Sequence, residues 1–347
     1  MHVGLALPQY DYSVAGESPL RFETIAHHAR VAELAGYASL WCSDHLFLDL
    51  SKYGGSDERH GCYEPLVTLA ALTQTVSTAR LGTLVLLEAL RPAAVLAKAL
   101  ATLDRLAAGR LDVGLGAGWY APDYDALGTA MPSPGERLER LREALEIVTG
   151  MLSGETVSFD GAFHRARAAR ALPPALQTPR PRVFLGGKGD RLLGLVATCA
   201  DGWNTCWTWT PEGYRERLGV LDRACERVGR DPASVWRTLG LYALCGEDEA
   251  DLSARFERLR ERSPRGVLDA VSLDEFRRGR LVGTVEEVRE QAARFAELGV
   301  DTLILGAGAV PFQVGSLDDV ELLGHALIDR SAEGYPGPRP PVGKVPT

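Results

Sequence analysis

Short apolar segments alternate with helix-like segments eight times along this chain of 347 residues. Most of the apolar segments are runs of valine, isoleucine and leucine, which is typical of strands buried on both faces of a parallel sheet. Each run is followed by a segment with the spacing and the start and stop residues of a helix. The eight predicted strands cover residues 3–7, 38–42, 81–87, 111–115, 182–185, 202–204, 235–244 and 300–305.

This repetition predicts a (β/α)8 TIM barrel, because eight strand–helix units in a chain of this length are best satisfied by that fold. An open, doubly wound sheet is the alternative. That fold would show a glycine-rich dinucleotide fingerprint at its first strand–helix turn, and residues 8–14, PQYDYSV, contain none. We therefore predict a single barrel domain over residues 1–331.

Four segments depart from the regular alternation. Residues 153–180, before strand five, contain a strong Asp-Gly turn pair at 160–161 and are predicted to be an insertion that forms a small hairpin. Residues 47–63 and 119–134 are predicted to be long loops, the first of them a lid. Residues 332–347 are rich in proline and glycine and are predicted to be a disordered tail.

The fourth predicted strand ends in glycines, within the stretch RLDVGLGAGWY. Gly116, Ala117, Gly118 and Trp119 follow its apolar residues at the end where barrels bind their ligands. Glycines there let the backbone approach a ligand closely, and Trp119 is a candidate for stacking on a planar ring. The G-x-G-x-G pattern is weak evidence alone, because close packing at a barrel rim explains it equally well.

Gly186, Gly187, Lys188 and Gly189 follow strand five and open a helix. Free backbone N–H groups at a helix start form an anion site suited to a phosphate, and Lys188 adds positive charge. The segment is not a Walker A loop, because Lys188 is followed by glycine rather than by serine or threonine. The alternative is a tight turn that binds nothing, and the position in the barrel favours the phosphate.

Asp44 and His45 end strand two, at the same rim of the predicted barrel. A histidine beside a carboxylate can act as a general acid or as a hydrogen-bond donor, so both are candidate catalytic residues. The alternative is an aspartate that caps a turn and a histidine that packs on the lid. Trp203, Trp207 and Trp209 follow strand six and either line an apolar pocket or cover the barrel mouth.

Composition argues against several classes of protein. Lysine and arginine number 38 against 46 aspartate and glutamate, and the formal net charge of −8 argues against nucleic acid as the main partner. We expect no membrane segment and no signal peptide, because no apolar run could span a bilayer and no basic n-region is present. The six cysteines form no C-x-x-C pair. We expect reduced thiols in a cytoplasmic protein without a zinc site.

Four blocks of sequence resemble the bacterial-luciferase-like superfamily. Their order and spacing are more specific than any one block, and the resemblance covers nearly the whole chain before the tail. Within that superfamily the chain looks most like the oxidoreductases that depend on the deazaflavin coenzyme F420, with FMN-dependent monooxygenases as close relatives. The blocks are LWCSDHL (40–46), RLGTLVLLEALRPAAVLAKALATLDRLAAGRLDVGLGAGWY (80–120), VFLGGKGDRLLGLVATCADGWN (183–204) and GTVEEVREQAARFAELGVDTLIL (283–305).

The resemblance implies a tricyclic cofactor ring across the barrel mouth. It implies a cis peptide bond between Leu84 and Val85, which supports one face of the ring, with residues 116–119 beside the ring or its tail. The amides of Gly186 and Gly187 would hold the cofactor phosphate.

Asp44 and His45 match the family's pair near the reactive edge of the ring. The rim residues that would favour the acidic tail of the deazaflavin are Lys52, Arg59, Lys188 and Arg191. Sugar-phosphate dehydrogenases of the family carry a glutamate and a tryptophan where this chain has Trp119 and Asp49. We therefore expect a different substrate.

We hypothesise an oxidoreductase that transfers a hydride between coenzyme F420 and a small organic substrate, with His45 as proton donor or acceptor. The alternatives are an FMN-dependent monooxygenase that uses reduced flavin and oxygen, and a barrel that binds flavin without turnover. The tryptophans indicate a hydrophobic or aromatic substrate. The resemblance to the family also implies a homodimer. If the protein is a monooxygenase, a separate reductase would supply its reduced cofactor.

Overall fold

The computed structural model describes residues 1–329 and contains a closed barrel of eight parallel strands. Each strand pairs with the next along the chain, and β8 pairs with β1, so that Leu5 lies beside Leu305 on one side and Leu40 on the other. The barrel strands are His2–Ala6 (β1), Ser39–Cys42 (β2), Arg80–Thr83 (β3), Leu111–Gly116 (β4), Arg182–Gly186 (β5), Gly202–Trp207 (β6), Trp236–Gly246 (β7) and Thr302–Gly306 (β8). The predicted TIM barrel is confirmed, and the open sheet is excluded.

Helices follow the strands and cover the outside of the barrel. Leu96, Leu100 and Leu103 are buried on one such helix, at the spacing of a single helical face. The α-helices are Phe22–Ala35, Pro65–Leu72, Ala93–Leu106, Ala121–Ala126, Pro134–Leu152, Asp190–Cys199, Pro211–Arg227, Glu249–Arg262, Leu273–Arg277, Val285–Glu297 and Leu317–Leu327. Single 3-10 turns lie at Ser51–Tyr53, Glu88–Leu90 and Pro232–Ser234.

Large aromatic side chains fill the interior of the barrel. Trp41 of β2 and Phe184 of β5 are fully buried and meet edge to face, with ring centres 5.7 Å apart. Glycines on neighbouring strands make the space for them. A Cβ at Gly82 would lie 2.2 Å from the Trp41 ring, and one at Gly114 would lie 2.5 Å from the Phe184 ring. The barrel is therefore a packed core, and a ligand can bind only beyond it.

The insertion before β5 contains the predicted hairpin, in which Val157–Asp160 pairs antiparallel with Arg165–Ala169. The lid holds a second short antiparallel pair, Phe47–Leu48 with His60–Gly61. The prediction for residues 119–134 is wrong in part, because they include the helix Ala121–Ala126. This helix begins beside Pro122, which fits the first turn of a helix because its missing N–H group has no partner there.

Two of the predicted strands differ from the observed ones. Strand three is interrupted: Arg80–Thr83 is followed, after two residues, by Leu86–Leu87, which pairs with β4. Strand six continues to Trp207, three residues further than predicted. A short strand that the sequence did not predict, Leu281–Thr284, extends the sheet by pairing with the end of β7.

Some predictions concern features that lie outside the barrel architecture. The predicted tail, residues 332–347, lies outside the described residues. Across residues 1–329, no helix combines the length and the apolar character needed to cross a membrane. The same residues bring together no group of three histidine, cysteine, aspartate or glutamate side chains that could hold a metal ion.

Candidate active site

A cavity of about 690 Å³ opens at the carboxyl ends of the barrel strands. Its wall contains every residue that the sequence predicted for catalysis or for binding the cofactor ring and phosphate, drawn from the ends of the neighbouring strands β2, β3, β4 and β5. These residues are Asp44, His45, Leu84, Val85, Gly116, Ala117, Gly118, Trp119, Gly186, Gly187, Lys188 and Gly189. The structure therefore brings the predicted residues together, while their roles in binding and catalysis stay predictions.

Val85 lies at the centre of this wall. The peptide bond between Leu84 and Val85 is cis, as the family resemblance implies. A Cβ at Gly116 would lie 2.7 Å from one methyl group of Val85, and a Cβ at Gly186 would lie 2.8 Å from the other. Only glycine at these two positions lets the valine lie between the ends of β4 and β5, where it offers a small apolar surface to the cavity.

In the loop after β5, the backbone amide of Gly187 is not free to bind a phosphate as predicted. The N–H group of Gly187 donates to the carbonyl of Asn204 in β6 at 2.9 Å. The indole N–H group of Trp203 donates to the Gly187 carbonyl at 2.7 Å. The expectation that the Gly187 amide holds a phosphate is therefore wrong, because β6 already occupies that amide and fixes the loop.

The start of the helix Asp190–Cys199 is the other candidate for the predicted anion site. Gly189 is its N-cap residue and provides no side-chain cap for the amides of the first turn. A Cβ at Gly189 would meet no protein atom within 4 Å, so the space beside it is open to a ligand. Residues 188–192 all line the cavity. This arrangement fits a phosphate at a helix start.

His45 is held by a residue that the sequence did not indicate. Its Nδ1 lies 2.6 Å from Oδ2 of Asp123, which is fully buried in the helix Ala121–Ala126. The rings of Trp119 and Tyr120 contact the imidazole edge to face. With Nδ1 engaged, Nε2 is the nitrogen that remains for a ligand in the cavity. The Pro122 helix-start signal, followed directly by an aspartate, was the one clue to this residue.

Asp44 has a different environment from the one expected of an acid or base. Its two carboxylate oxygens accept from the Arg91 guanidinium at 2.6 and 3.0 Å, and the Leu87 amide donates to one of them at 2.8 Å. Burial raises the pKa of Asp44, and Arg91 and the Leu87 amide oppose that shift. This geometry favours a role for Asp44 in positioning the end of strand three.

The other side of the cavity is aromatic. Tyr10, Tyr53, Trp207 and Phe312 line it, and the Trp207 and Phe312 rings meet edge to face at 5.5 Å. The Tyr10 hydroxyl shares a hydrogen bond of 2.6 Å with Ser43, and burial raises its pKa well above the usual value. This surface suits an apolar or aromatic ligand.

The three tryptophans near β6 have separate places in the structure. Trp207 lines the cavity. Trp203 is fully buried and stacks on Tyr214, with ring centres 5.3 Å apart. Trp209 meets Tyr214 edge to face. The sequence left open whether these tryptophans line a pocket or cover the barrel mouth. Of the three, only Trp207 lines the cavity.

Charged side chains around the cavity agree in part with the predicted basic rim. Lys52, Lys188 and Arg191 line it, whereas Arg59 lies over the Phe47 ring, 4.3 Å from its centre. Arg137, on the first turn of the helix Pro134–Leu152, also lines the cavity and was missed. Only its place in the sequence could have indicated Arg137, because it lies near the start of a helix that follows the β4 loop.

The fold and this cavity define a barrel protein that binds a ligand at the carboxyl ends of its strands. The chain belongs to the luciferase-like monooxygenase family, whose model matches residues 1–302. The chain is 30% identical over 313 residues to the F420-dependent hydroxymycolic acid dehydrogenase of Mycobacterium tuberculosis, covering 88% of this chain and 82% of the relative.

Two further similarities agree with this family. The F420-dependent glucose-6-phosphate dehydrogenase of Kineococcus radiotolerans is 32% identical over 228 residues, which is 65% of each chain. The crystal structure of the monooxygenase RslO1 from Streptomyces bottropensis is similar with a TM-score of 0.73 at 25% identity, covering 94% of this chain and 98% of that one. These relatives are enzymes, and the present chain is an oxidoreductase of the luciferase-like family.

Proposed function

We propose that this protein transfers a hydride between coenzyme F420 and a small hydrophobic or aromatic substrate. The observation that carries the proposal is the His45 imidazole, oriented by buried Asp123 at the rim of a cavity that Val85 lines. A fixed imidazole beside a ring-binding surface suits proton transfer coupled to hydride transfer. The names of two relatives, both F420-dependent dehydrogenases, support this cofactor.

In this proposal the side chains divide the work of binding and proton transfer. Coenzyme F420 supplies the hydride chemistry when it is bound. Val85 would lie against one face of the cofactor ring and leave the opposite face to the substrate. The uncapped start of the helix Asp190–Cys199 and Lys188 would hold the phosphate. His45 exchanges a proton with the substrate through Nε2, while Asp123 keeps the imidazole in the tautomer with its proton on Nδ1.

The aromatic half of the cavity supports the substrate class. Tyr53, Trp207 and Phe312 leave few hydrogen-bonding groups on that side. A polar molecule would lose hydrogen bonds to water there without replacement, whereas an apolar or aromatic molecule has few to lose. These rings also exclude water from the reacting atoms, which strengthens the electrostatic interactions there.

An FMN-dependent monooxygenase is the second candidate. It is favoured by the similarity to the monooxygenase RslO1 over 94% of this chain. Both cofactors present a tricyclic ring and a phosphate, so Val85 and the helix start accommodate either. In that case a separate reductase would supply the reduced flavin.

A paired titration tests the two candidates. Purified protein is titrated with coenzyme F420, with FMN and with reduced FMN, and binding is followed by cofactor fluorescence or absorbance. Tight binding of F420 together with hydride transfer supports the proposal. Tight binding of reduced FMN with oxygen consumption supports the monooxygenase, and binding without any turnover supports a flavin-binding barrel. Binding of none of these cofactors would overturn all three.

A further inference from the structure

The lid, residues 47–63, begins two residues after His45 and forms part of the cavity wall. Leu50 is fully buried at its base, and Lys52 and Tyr53, on the 3-10 turn that follows, line the cavity. The N–H group of Tyr53 donates to the Leu50 carbonyl at 2.8 Å, so the turn is held by a bond within the lid. The turn can therefore move away from the cavity without disturbing any strand of the barrel.

The hydroxyl of Tyr120 ties the lid to the segment that follows β4. It donates to a carboxylate oxygen of Asp49 at 2.5 Å and accepts the Asp49 N–H group at 3.2 Å. A hydrogen bond from a hydroxyl to a carboxylate is charge-assisted and stronger than a neutral one. Burial and the Asp49 carboxylate raise the pKa of Tyr120 to about 12, so the hydroxyl keeps its proton and remains a donor at neutral pH.

A cation–π contact joins the same two segments. Nζ of Lys52 lies 4.0 Å from the centre of the Trp119 ring. Trp119 is 45% exposed, whereas Tyr120 is 7% exposed. Because cation–π contacts are weaker at exposed sites, the bond between Asp49 and Tyr120 is the stronger of the two attachments.

The ring of Tyr120 also contacts the candidate catalytic residue. Its centre lies 5.6 Å from that of the His45 imidazole, and the two rings are perpendicular, at 89°. Phe47, the first residue of the lid, meets the Tyr120 ring edge to face at 6.2 Å. Near the other end of the lid, the Cys62 thiol donates to the His45 carbonyl at 2.8 Å. The lid and His45 therefore share Tyr120 as a common neighbour.

We propose that Tyr120 is a positioning residue that couples the docked lid to the orientation of His45. With the lid docked, the bond to Asp49 fixes the phenol ring, and this ring supports the imidazole while Asp123 holds its Nδ1. Opening of the lid to admit or release a ligand removes that support. Proton transfer is then confined to the closed cavity, from which water is excluded. The role of His45 in this inference rests on the proposed function.

Two measurements test the coupling without cofactor or substrate. Trypsin cleaves after lysine and arginine, and Lys52 and Arg59 are exposed residues of the lid. The initial rate of cleavage at these two sites, followed by mass spectrometry, measures how often the lid opens. The NMR signal of the His45 ring, in protein labelled with 13C at histidine Cε1, reports its surroundings. His45→Ala identifies this signal by its loss.

Three variants are compared with the wild type. Tyr120→Phe keeps the ring and removes the hydroxyl. Asp49→Asn weakens the same bond from the side of the lid, and it reaches His45 through Tyr120. Tyr37→Phe is the matched control, because its buried hydroxyl donates to the Val320 carbonyl and belongs to neither segment.

Tyr120→Phe is expected to raise the rate of lid cleavage about tenfold, the effect of losing one hydrogen bond to a charged group. Asp49→Asn should raise it about threefold, because the amide oxygen still accepts a weaker, neutral bond. Both variants should move the His45 signal in the same direction, and further where cleavage is faster. Tyr37→Phe should change lid cleavage by less than about twofold and leave the His45 signal in place.

Two results would overturn the inference. Unchanged lid cleavage in Tyr120→Phe would mean that the hydroxyl does not hold the lid. Faster cleavage in Asp49→Asn with the His45 signal of the wild type would mean that the lid and His45 are independent. Either result leaves the proposed function standing, since that is tested by the cofactor titration.

Discussion

The carboxylate of Asp123 lies 2.6 Å from Nδ1 of His45, although the two residues are 78 positions apart in sequence. The second oxygen of the aspartate accepts the N–H group of Leu46 at 3.0 Å. One buried side chain therefore fixes both the imidazole and the backbone that follows β2. Asp123 acts through His45, as a positioning residue for the proposed proton transfer.

Replacement of His45 by alanine is expected to lower kcat by about 100-fold or more, the usual contribution of general acid–base catalysis. Asp123→Asn should give a smaller loss, of about tenfold, because the amide still occupies the space beside Nδ1 but orients the imidazole less strictly than the carboxylate. The affinity for coenzyme F420, measured by fluorescence, should change by less than about threefold in both variants. His27→Ala, on the exposed face of the helix Phe22–Ala35, is the control. Unchanged turnover in His45→Ala would remove His45 from the mechanism.

The open space beside Gly189 allows a test of the phosphate site that does not disturb the fold. Gly189 has φ −76° and no neighbour within 4 Å of an added Cβ. Gly189→Glu places a negative charge there, and Gly189→Gln is a neutral control of equal size. The glutamate is expected to weaken cofactor binding by about tenfold relative to the glutamine, through repulsion of the phosphate across several ångströms.

Equal binding by these two variants would argue against a phosphate at this helix start. Gly187 is a poor choice for the same experiment. Its φ of +145° is a backbone conformation that other residues rarely adopt, and an added Cβ would lie 3.3 Å from Leu192. A substitution at Gly187 would therefore mix a folding defect with any effect on binding.

The buried pair of Asp44 and Arg91 is expected to matter for stability. Arg91→Met leaves the Asp44 carboxylate, which is only 3% exposed, without its charged partner. The free energy of unfolding should fall by about 3 to 5 kcal/mol, measured by urea denaturation. The double variant Asp44→Asn, Arg91→Met should recover part of this loss, since the uncompensated charge is gone. A single variant as stable as the wild type would contradict this account of the pair.

Glu143 holds the turn of the insertion hairpin. Its carboxylate accepts the backbone N–H groups of Ala162, Phe163 and His164 at 2.8 to 2.9 Å. Burial acts to raise the pKa of Glu143, but these donors outweigh it and lower the pKa below the usual 4.5. Because the pKa in the folded state is lowered, the stabilisation is complete above pH 4.5 and is lost as the pH falls below that value.

Glu143→Gln is therefore expected to lose about 2 kcal/mol of stability at pH 7, the scale of hydrogen bonds to a charged group. Its difference from the wild type should shrink as the pH is lowered through 4.5 towards 3, measured by thermal or urea unfolding. Glu146→Gln, an exposed residue of the same helix, should change stability by less than about 0.5 kcal/mol at either pH. A difference for Glu143→Gln that does not depend on pH would exclude a role for the carboxylate charge.

Glu88 is a second carboxylate that contacts the insertion hairpin. Oε1 of Glu88 lies 2.6 Å from Nε2 of His164, so this carboxylate joins the end of strand three to the insertion hairpin. Glu88 is buried but is not among the residues that line the cavity. The contact of Glu88 with His164 therefore links two parts of the fold and does not belong to the cavity.

Much of the site could be predicted because a barrel brings the carboxyl ends of its strands to one rim. Once eight strands were recognised, the glycines after β4 and β5 and the Asp44-His45 pair after β2 had to lie near one another. The residues that were missed lie on helices. Asp123 is part of a helix of six residues within a predicted loop, and Arg137 lies one turn inside a long helix.

Backbone pairing accounts for the other differences. The sequence pattern of residues 186–189 indicates glycines at a helix start, but it does not reveal that the Gly187 amide pairs with Asn204. That bond depends on the register between β5 and β6, which neighbouring strands determine together. The extension of β6 to Trp207 has the same origin, since Cys206 and Trp207 pair with Gly240 and Leu241 of β7.

The packing of Trp41 and Phe184 against Gly82 and Gly114 has a kinetic consequence. Because these rings close the barrel interior, cofactor and substrate would both enter the cavity from the rim at the carboxyl ends of the strands. In the proposed binding mode, a cofactor ring on Val85 would occupy the inner position, beneath the substrate. We therefore expect compulsory-order kinetics, in which substrate joins after the cofactor and product departs before the cofactor can be exchanged.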